Sequence, residues 1–427
     1  MEPFIPPGFS LPLAWGIDFS LPVLLRFVQN LEGVVILPED QKMLRDLRKE
    51  RILYCSNHPT VSEPPVAYAV AKAMGARFHY MAARQVFDWA NGVVGRVIQG
   101  VGAYSVLAGT ADRESIKMSR GILAHDGGKL VVYPEGEPTS GENDNLLPLQ
   151  PGIAQIGFWG LEDARKMDPG ADIKVLPAFV KYVYSGTDAS IKGDLHSSVK
   201  KLERKLGIDP ANKNLLRRFL TIGRIVLEQC EADYQIAAAS LKDWDYRVGR
   251  VRHAVLDQVA DRIQVKGYNR SADAIEKLRF LLSILEMISV EYPDPRLPSV
   301  DEETLKWAQK ECEKAYLFIV TRPEYLISYP TAERFYEWLG RYETFVLGKT
   351  SARGRKAHVR FTEPISLGEY YSRYKENRKS GIEALLGELK NRLERLLVEC
   401  QQLSQPIVRP FDVGDDPMGQ TQPDSQS

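Results

Sequence analysis

The feature that most constrains the fold is a buried strand that ends in a polar loop and leads into a helix, over residues 52–64. Residues 52–55 are Ile-Leu-Tyr-Cys, an apolar run typical of a buried strand. Ser56, Asn57, His58 and Pro59 have the composition of a loop. Thr60 or Ser62 then precedes Pro64 and Pro65, and prolines suit the first turn of a helix. This order places a histidine beyond the carboxyl end of a strand, where open α/β sheets bind ligands.

The spacing of His58 and Glu63 favours acid–base chemistry. A histidine that removes a proton from a hydroxyl becomes an imidazolium, and a carboxylate on its other nitrogen fixes the tautomer and stabilises that charge. By itself, a loop histidine near an acid is more often a structural hydrogen-bonding group. The chemical interpretation of this pair therefore depends on the residues that lie further along the chain.

Short apolar runs alternate with helical patterns up to about residue 185. Strands are predicted near 33–37, 52–55, 78–83, 102–106, 129–133 and 173–183, with helices at 65–74, 86–98, 110–125 and 151–165. Such alternation predicts an α/β fold of three layers, with a largely parallel sheet flanked by helices. A further strand is predicted at 357–361 and a last helix at 378–402.

Three later blocks decide how the loop with His58 and Glu63 is interpreted. They are Gly102-Ala103-Tyr104-Ser105-Val106, Val131-Val132-Tyr133-Pro134-Glu135-Gly136 and Val175-Leu176-Pro177. Together with Asn57-His58 and Glu63, they resemble the four blocks of the glycerolipid, or PlsC-like, acyltransferase family. Those blocks are Asn-His-x-x-x-x-Asp, Gly-x-x-x-Ile-x-Arg, Phe-Pro-Glu-Gly-Thr-Arg and Val-x-Pro. The resemblance extends over roughly residues 30–185, and its first and third blocks are the specific ones.

The resemblance implies an enzyme that moves a fatty acyl group from a thioester to a lipid hydroxyl. The donor would be acyl-CoA or acyl-carrier protein, and no cofactor or metal is implied. His58 would be the general base and Glu63 the group that orients it. We expect the substrate-binding residues to be Asn57, Gly102, Glu135 and Gly136, and we expect backbone amides near Pro59-Thr60 or Gly136 to stabilise the thioester oxyanion.

The chain departs from the family pattern in two places. The family's aspartate is Glu63 here, which keeps the carboxylate but lengthens its reach. The family's phosphate-binding arginines are missing: the second block has Ala108 at that position, and the third has Glu137-Pro138 in place of Thr-Arg. We therefore predict an acceptor without the usual phosphate, such as a diacylglycerol, a glycolipid or a long-chain alcohol.

Two alternatives stay open. One is a lysophosphatidate or glycerol-3-phosphate acyltransferase whose phosphate ligands come from elsewhere, for example Lys200, Lys201, Arg217 or Arg218. The other is an inactive, lipid-binding homologue.

The pattern predicts four regions. Residues 1–31 are apolar, and Phe19, Val23, Leu24, Phe27, Val28 and Leu31 fall near one helical face that would either bind a membrane surface or cover the sheet. Residues 32–185 and 351–402 form the predicted acyltransferase domain. Residues 186–350 contain long helical patterns and are predicted to be a helical insertion, and 403–427 a disordered tail.

Composition narrows the setting. The chain has 56 basic and 56 acidic residues, so no overall positive charge favours nucleic acid as a partner. Its four cysteines are scattered, without metal-ligand spacing, as is typical of reduced thiols in the cytoplasm. No run of 18 apolar residues predicts a spanning helix. We therefore expect a cytoplasmic, peripheral membrane protein.

Overall fold

A computed structural model describes residues 4–107, 112–136, 142–211, 213–237, 243–319 and 322–409. The chain divides into two compact units. The first comprises residues 1–183 and 354–403, and the second comprises residues 184–353 and 404–427. The substitutions at Ala108 and Glu137-Pro138 lie outside the described residues.

The first unit is built on one sheet, in which the described residues form eight strands. They are β1 (Leu31–Ile36), β2 (Ile52–Ser56), β3 (His79–Ala83), β4 (Ala103–Val106), β5 (Lys129–Val132), β6 (Lys174–Tyr184), β7 (Arg355–Phe361) and β8 (Ile365–Ser366). The strand order is β1-β7-β6-β2-β5-β3-β4, and β8 pairs with β6. β2 is parallel to both β5 and β6, and β3 is parallel to both β4 and β5, whereas β8 is antiparallel to β6.

Helices cover both faces of this sheet. Numbered along the whole chain, those of the first unit are α1 (Leu11–Val28), α2 (Pro38–Asp46), α3 (Glu63–Met74), α4 (Val93–Gly100), α5 (Arg113–Ala124), α6 (Pro151–Met167), α14 (Leu367–Glu376) and α15 (Arg378–Gln401). Successive side chains of a strand point to opposite faces. Tyr54 accordingly joins a core with α1 and α3, while Leu53 and Cys55 join one with α5, α6, α14 and α15. The predicted three-layer α/β fold is confirmed.

Helix α1 leaves an apolar face uncovered. Ala14, Leu21 and Leu25 are buried, and the hydroxyl of Tyr68 on α3 donates a hydrogen bond to the carbonyl of Ala14. The opposite side exposes Leu11, Trp15, Phe19, Val23, Phe27 and Val28, with Phe19 91% exposed. Leu31 was wrongly assigned to this face, because it begins β1 and is fully buried. Among the described residues, only α1 is long and apolar enough to cross a membrane, a criterion of length and composition alone.

The second unit is helical. Its helices are α7 (Asp188–Leu206), α8 (Leu215–Asp233), α9 (Trp244–Ile263), α10 (Ala274–Ser289), α11 (Glu302–Ile319), α12 (Pro323–Ser328) and α13 (Ala332–Leu347). Buried ion pairs join several of them, including Arg218 with Glu203 and Arg247 with Glu231. Because both nitrogens of the Arg218 fork are engaged by Glu203, this arginine is a poor candidate for a phosphate ligand.

The predicted disordered tail begins too early. The Ile407 amide donates to the carbonyl of Pro330, and Pro406 forms an isolated antiparallel bridge with Thr331. Residues 404–409 therefore pair with the segment before α13, and residues 410–427 lie outside the described residues. The predicted helix at 86–98 is also wrong in its first half, since a 3₁₀ turn over Arg84–Asp88 precedes α4 and residues 90–92 have positive φ.

Candidate active site

The candidate site forms where β2 and β5 end. These neighbouring strands are parallel, so the loop after Ser56 and the loop after Val132 leave the sheet at the same edge. α3 begins at Glu63, with Pro64 and Pro65 in its first turn. The two loops are tied together, because the backbone amide of His58 donates to Glu135 Oε1 over 2.8 Å. The predicted position of His58, past the carboxyl end of a strand, matches this geometry.

His58 and Glu63 form a close pair. His58 Nδ1 lies 2.6 Å from Glu63 Oε2, and the side chains are 15% and 1% exposed. The Glu63 carboxylate also accepts the Thr60 amide and the Thr60 hydroxyl. Because this carboxylate is the acceptor for each of these groups, Nδ1 carries the hydrogen that it shares with Glu63. In the neutral ring with this tautomer the lone pair is on Nε2, for which no partner is found in the described part of the chain.

Tyr133 and Tyr182 complete the surroundings of the pair. The His58 ring stacks on Tyr133, with 4.3 Å between the ring centroids. The buried hydroxyl of Tyr182 donates to Glu63 Oε1. Burial, together with the nearby negative charge of Glu63, raises the pKa of Tyr182 well above its usual value, so this hydroxyl keeps its proton and remains a donor.

Arg355 is a cation beside the site that no motif of the sequence predicts. Its guanidinium lies over the Tyr182 ring, 4.1 Å from the centroid, and its Nη2 donates to the Ser62 hydroxyl over 3.2 Å. Arg355 begins β7, almost 300 residues after the histidine loop in the chain. Only the sheet pairing brings it here, and no local sequence signal identifies Arg355 or Tyr182 as part of the site.

Asn57 is turned into the protein. Its Oδ1 accepts the Val180 amide over 2.7 Å, and its Nδ2 donates to the Val180 carbonyl over 3.0 Å. The side chain thus continues the pairing of β2 with β6 past the last strand residue. Since Asn57 is only 1% exposed and both its polar atoms are engaged, the substrate-binding assignment is corrected: Asn57 fixes the loop that carries His58.

Glu135 and Gly136 also hold the loops in place. Glu135 is fully buried, and its Oε2 accepts the Leu147 amide over 2.6 Å while Oε1 accepts His58. Gly136 has a φ of +82°, and an added Cβ would approach Gln150 to 3.2 Å. The expectation that Glu135 holds an acceptor hydroxyl is therefore wrong for this conformation, because its carboxylate is inside the protein and binds backbone amides.

Gly102 lies at the wrong edge of the sheet. It precedes β4, whose first residue pairs with Tyr80 at the start of β3, whereas His58 follows the end of β2. An added Cβ at Gly102 would come within 2.9 Å of the Phe78 carbonyl, and φ is +100°. Gly102 permits a close approach of backbone at the amino end of β4, so its assignment to substrate binding is corrected.

The predicted oxyanion donors are engaged elsewhere. The Thr60 amide donates to Glu63 Oε2, and the Gly136 amide donates to the Tyr133 carbonyl over 2.9 Å. Neither of these two amides is therefore available to a thioester oxygen in this conformation. Cys55, which precedes the loop, is fully buried, and burial raises the pKa of its thiol well above the ordinary value, so it is not a nucleophile.

Comparison with known proteins agrees with this geometry. Residues 36–180, about a third of the chain, match the family model described as Acyltransferase. The matched region includes β2, the His58–Glu63 loop, β5 and most of β6. No curated protein and no solved structure matches the chain.

Proposed function

We infer that this chain transfers a fatty acyl group from a thioester to a lipid hydroxyl. It is an acyltransferase enzyme by the match of residues 36–180 to the acyltransferase family. The observation that carries the proposal is the 2.6 Å contact between His58 Nδ1 and Glu63 inside the family-matched region. It leaves a basic nitrogen, Nε2, at the sheet edge. A thioester is already activated, so the enzyme mainly has to make the hydroxyl a better nucleophile.

In the proposed reaction, Nε2 of His58 takes the proton of the acceptor hydroxyl as its oxygen attacks the thioester carbonyl carbon. The tetrahedral intermediate then breaks its C–S bond. The imidazolium returns the proton to the departing thiolate, so the products are an ester and a free thiol. Glu63 stabilises the imidazolium between the two steps. General base catalysis of this kind accelerates a reaction by about 10²–10⁴-fold.

Glu63 replaces the family's aspartate without loss of the pair, because four donors hold its carboxylate in place. Two come from Thr60, one is the Tyr182 hydroxyl and one is His58. As the first residue of α3, Glu63 also places negative charge at the positive end of that helix. The longer side chain is therefore accommodated by a complete set of contacts.

We propose a lipophilic alcohol without a phosphate as the acceptor. Two observations support this proposal. The family's arginines are replaced at Ala108 and at Glu137-Pro138. Glu63 and Glu135 place two carboxyl groups near the base. A dianionic phosphate at that position would be repelled. The exposed apolar face of α1, including Phe19 and Phe27, supports delivery of such an acceptor from a membrane surface.

Arg355 favours a second candidate, the phosphorylated lysolipid of the family. Its guanidinium is near Ser62 and is only partly buried, so a phosphate could displace the weak 3.2 Å contact to the Ser62 hydroxyl. Arginine binds phosphate through two parallel hydrogen bonds, which would offset some of the carboxylate repulsion. The two candidates differ in the acceptor and share the same base.

An acceptor panel tests both. Purified enzyme is given labelled oleoyl-CoA and, in mixed micelles, diacylglycerol, hexadecanol, lysophosphatidate or glycerol 3-phosphate. Transfer to diacylglycerol or hexadecanol with little transfer to the phosphates supports the main proposal. Preferred transfer to lysophosphatidate that Arg355→Met abolishes, and that the matched Lys356→Met keeps, establishes the second candidate. If neither acyl-CoA nor acyl-carrier protein gives transfer to any of these acceptors, both candidate functions are contradicted.

A further inference from the structure

Tyr182 reaches the candidate site from the end of β6. β6 is parallel to β2, and Ser56, the last residue of β2, pairs with Ala178. Since successive side chains of a strand alternate between the two faces, the Tyr182 side chain lies on the same face as Ala178, beyond the end of β2. Its ring is fully buried in the core with α1 and α3, and its hydroxyl donates a hydrogen bond to Glu63 Oε1. The sheet therefore presents a donor to the first residue of α3.

The two oxygens of the Glu63 carboxylate are held by different donors. Oε2 accepts from His58 Nδ1 and from the Thr60 amide, at 2.6 and 2.9 Å. Oε1 accepts from the Thr60 hydroxyl over 2.8 Å and from the Tyr182 hydroxyl. His58 and Thr60 belong to the loop that leads into Glu63, so they can hold the carboxylate only relative to that loop. Of the contacts seen within the described ranges, that of Tyr182 alone ties the carboxylate to a strand of the sheet.

Arg355 holds the Tyr182 ring in turn. Its guanidinium lies 4.1 Å from the ring centroid, and it is itself fixed through the Ser62 hydroxyl, which donates to Gln29 Oε1 after α1. A nearby positive charge favours ionisation of a phenol, which makes the hydroxyl a stronger donor to a carboxylate. The hydroxyl nevertheless keeps its proton, because burial, together with the charge of Glu63, raises the pKa of Tyr182 well above its usual value. Tyr182 is therefore both fixed in place and a strong donor.

A glutamate at position 63 needs such an anchor more than an aspartate does. Its side chain has one more rotatable bond, so holding it in a single conformation costs more conformational entropy. We propose that Tyr182 is a positioning residue for the base: its hydroxyl holds the longer Glu63 side chain in the conformation that binds His58 Nδ1. The inference rests on the proposed function for the effect of Tyr182 on acyl transfer. Since Tyr182 and Glu63 act on one contact, the effects of changing them should not add.

The Nδ1 proton of His58 tests the proposal without relying on turnover. A hydrogen-bonded proton exchanges slowly with water, so its exchange rate is measured by NMR on enzyme with isotope-labelled histidine, and His58→Ala identifies the signal. The test variant is Tyr182→Phe, which removes only the hydroxyl. Tyr104→Phe is the matched control, because Tyr104 is also a fully buried tyrosine of the sheet, and its hydroxyl lies 2.6 Å from Ser119 Oγ. We expect exchange at least about tenfold faster in Tyr182→Phe and unchanged in Tyr104→Phe.

Steady-state kinetics test the effect on acyl transfer. Because the buried Tyr182 does not contact the substrate, Tyr182→Phe should lower kcat about tenfold and change KM less than twofold. Tyr104→Phe should leave both unchanged. In Glu63→Asp enzyme the shorter carboxylate has already withdrawn from the hydroxyl, so adding Tyr182→Phe should lower kcat by less than about twofold further.

The outcomes separate this inference from the proposed function. Faster exchange in Tyr182→Phe alone supports the positioning role, even if the enzyme transfers no acyl group and the proposed function fails. Equal exchange in Tyr182→Phe and wild type overturns it, as does an equal acceleration in Tyr104→Phe. Acyl transfer with an unchanged kcat in Tyr182→Phe also overturns it, while the proposed function stands. If Tyr182→Phe does not fold, a crystal structure of the wild type decides: a Tyr182 hydroxyl within hydrogen-bond distance of Glu63 supports the role, and one more than about 3.5 Å away overturns it.

Discussion

Shortening Glu63 to aspartate is a sharp test of how the candidate base is held. Glu63→Asp restores the family's residue, yet it withdraws the carboxylate by about 1.5 Å, one C–C bond. The 2.6 Å contact to His58 would open to about 4 Å, which is too long for a hydrogen bond. A hydrogen bond to a charged group contributes about 1.5–3 kcal/mol, so the loss predicts a kcat about 10- to 150-fold lower.

The assay is steady-state transfer from a saturating labelled thioester to the best acceptor of the panel. Because Glu63 is only 1% exposed, it does not contact the substrate, and KM should change less than twofold. Glu63→Gln, which keeps the length and removes the charge, should lower kcat at least as much. Glu39→Asp, an exposed residue of α2, controls for the substitution itself. A wild-type kcat in the Glu63→Asp enzyme would show that the contact between Glu63 and His58 does not support catalysis.

Three further predictions concern stability and membrane binding. Burial raises the pKa of Asp40 to about 6. Asp40→Asn should therefore stabilise the fold by about 1 kcal/mol at pH 8, after allowance for the partial exposure of this side chain, and by less at pH 5. Denaturant unfolding at both pH values checks this. Lys181→Met leaves the buried Asp144 without its cation and should cost about 3–5 kcal/mol, measured by urea unfolding, whereas an unchanged midpoint contradicts it. Phe19→Glu/Phe27→Glu should abolish sedimentation with lipid vesicles and leave the melting temperature unchanged, and retained sedimentation excludes this face.

Local patterns predicted much of the fold. Buried strands such as β2, β5 and β6 are apolar runs bounded by turn residues, and the alternation of strands with helices fixes a parallel sheet with helices on both faces. Short elements were missed. α12 and α14 are brief helices whose positions depend on packing, for example the Tyr374 ring of α14 against Phe158, rather than on a periodic sequence signal.

The candidate site was predicted unevenly for the same reason. His58 and Glu63 are five residues apart, so one loop determines their contact and a motif can show it. Tyr182 and Arg355 approach them only through the sheet order, which a motif cannot show. A motif shows that Glu135 and Asn57 matter but not where their side chains point, so it predicts substrate binding for both. In the folded chain both side chains turn inward and accept backbone amides.

We propose His58 as the base that activates the acceptor hydroxyl. The most direct measurement is the single-turnover rate of ester formation by wild-type enzyme, by His58→Ala and by His125→Ala, a histidine exposed after α5. We expect His58→Ala to lower the rate by about 10²–10⁴-fold and His125→Ala to leave it unchanged. Equal rates for His58→Ala and wild type would contradict this role of His58.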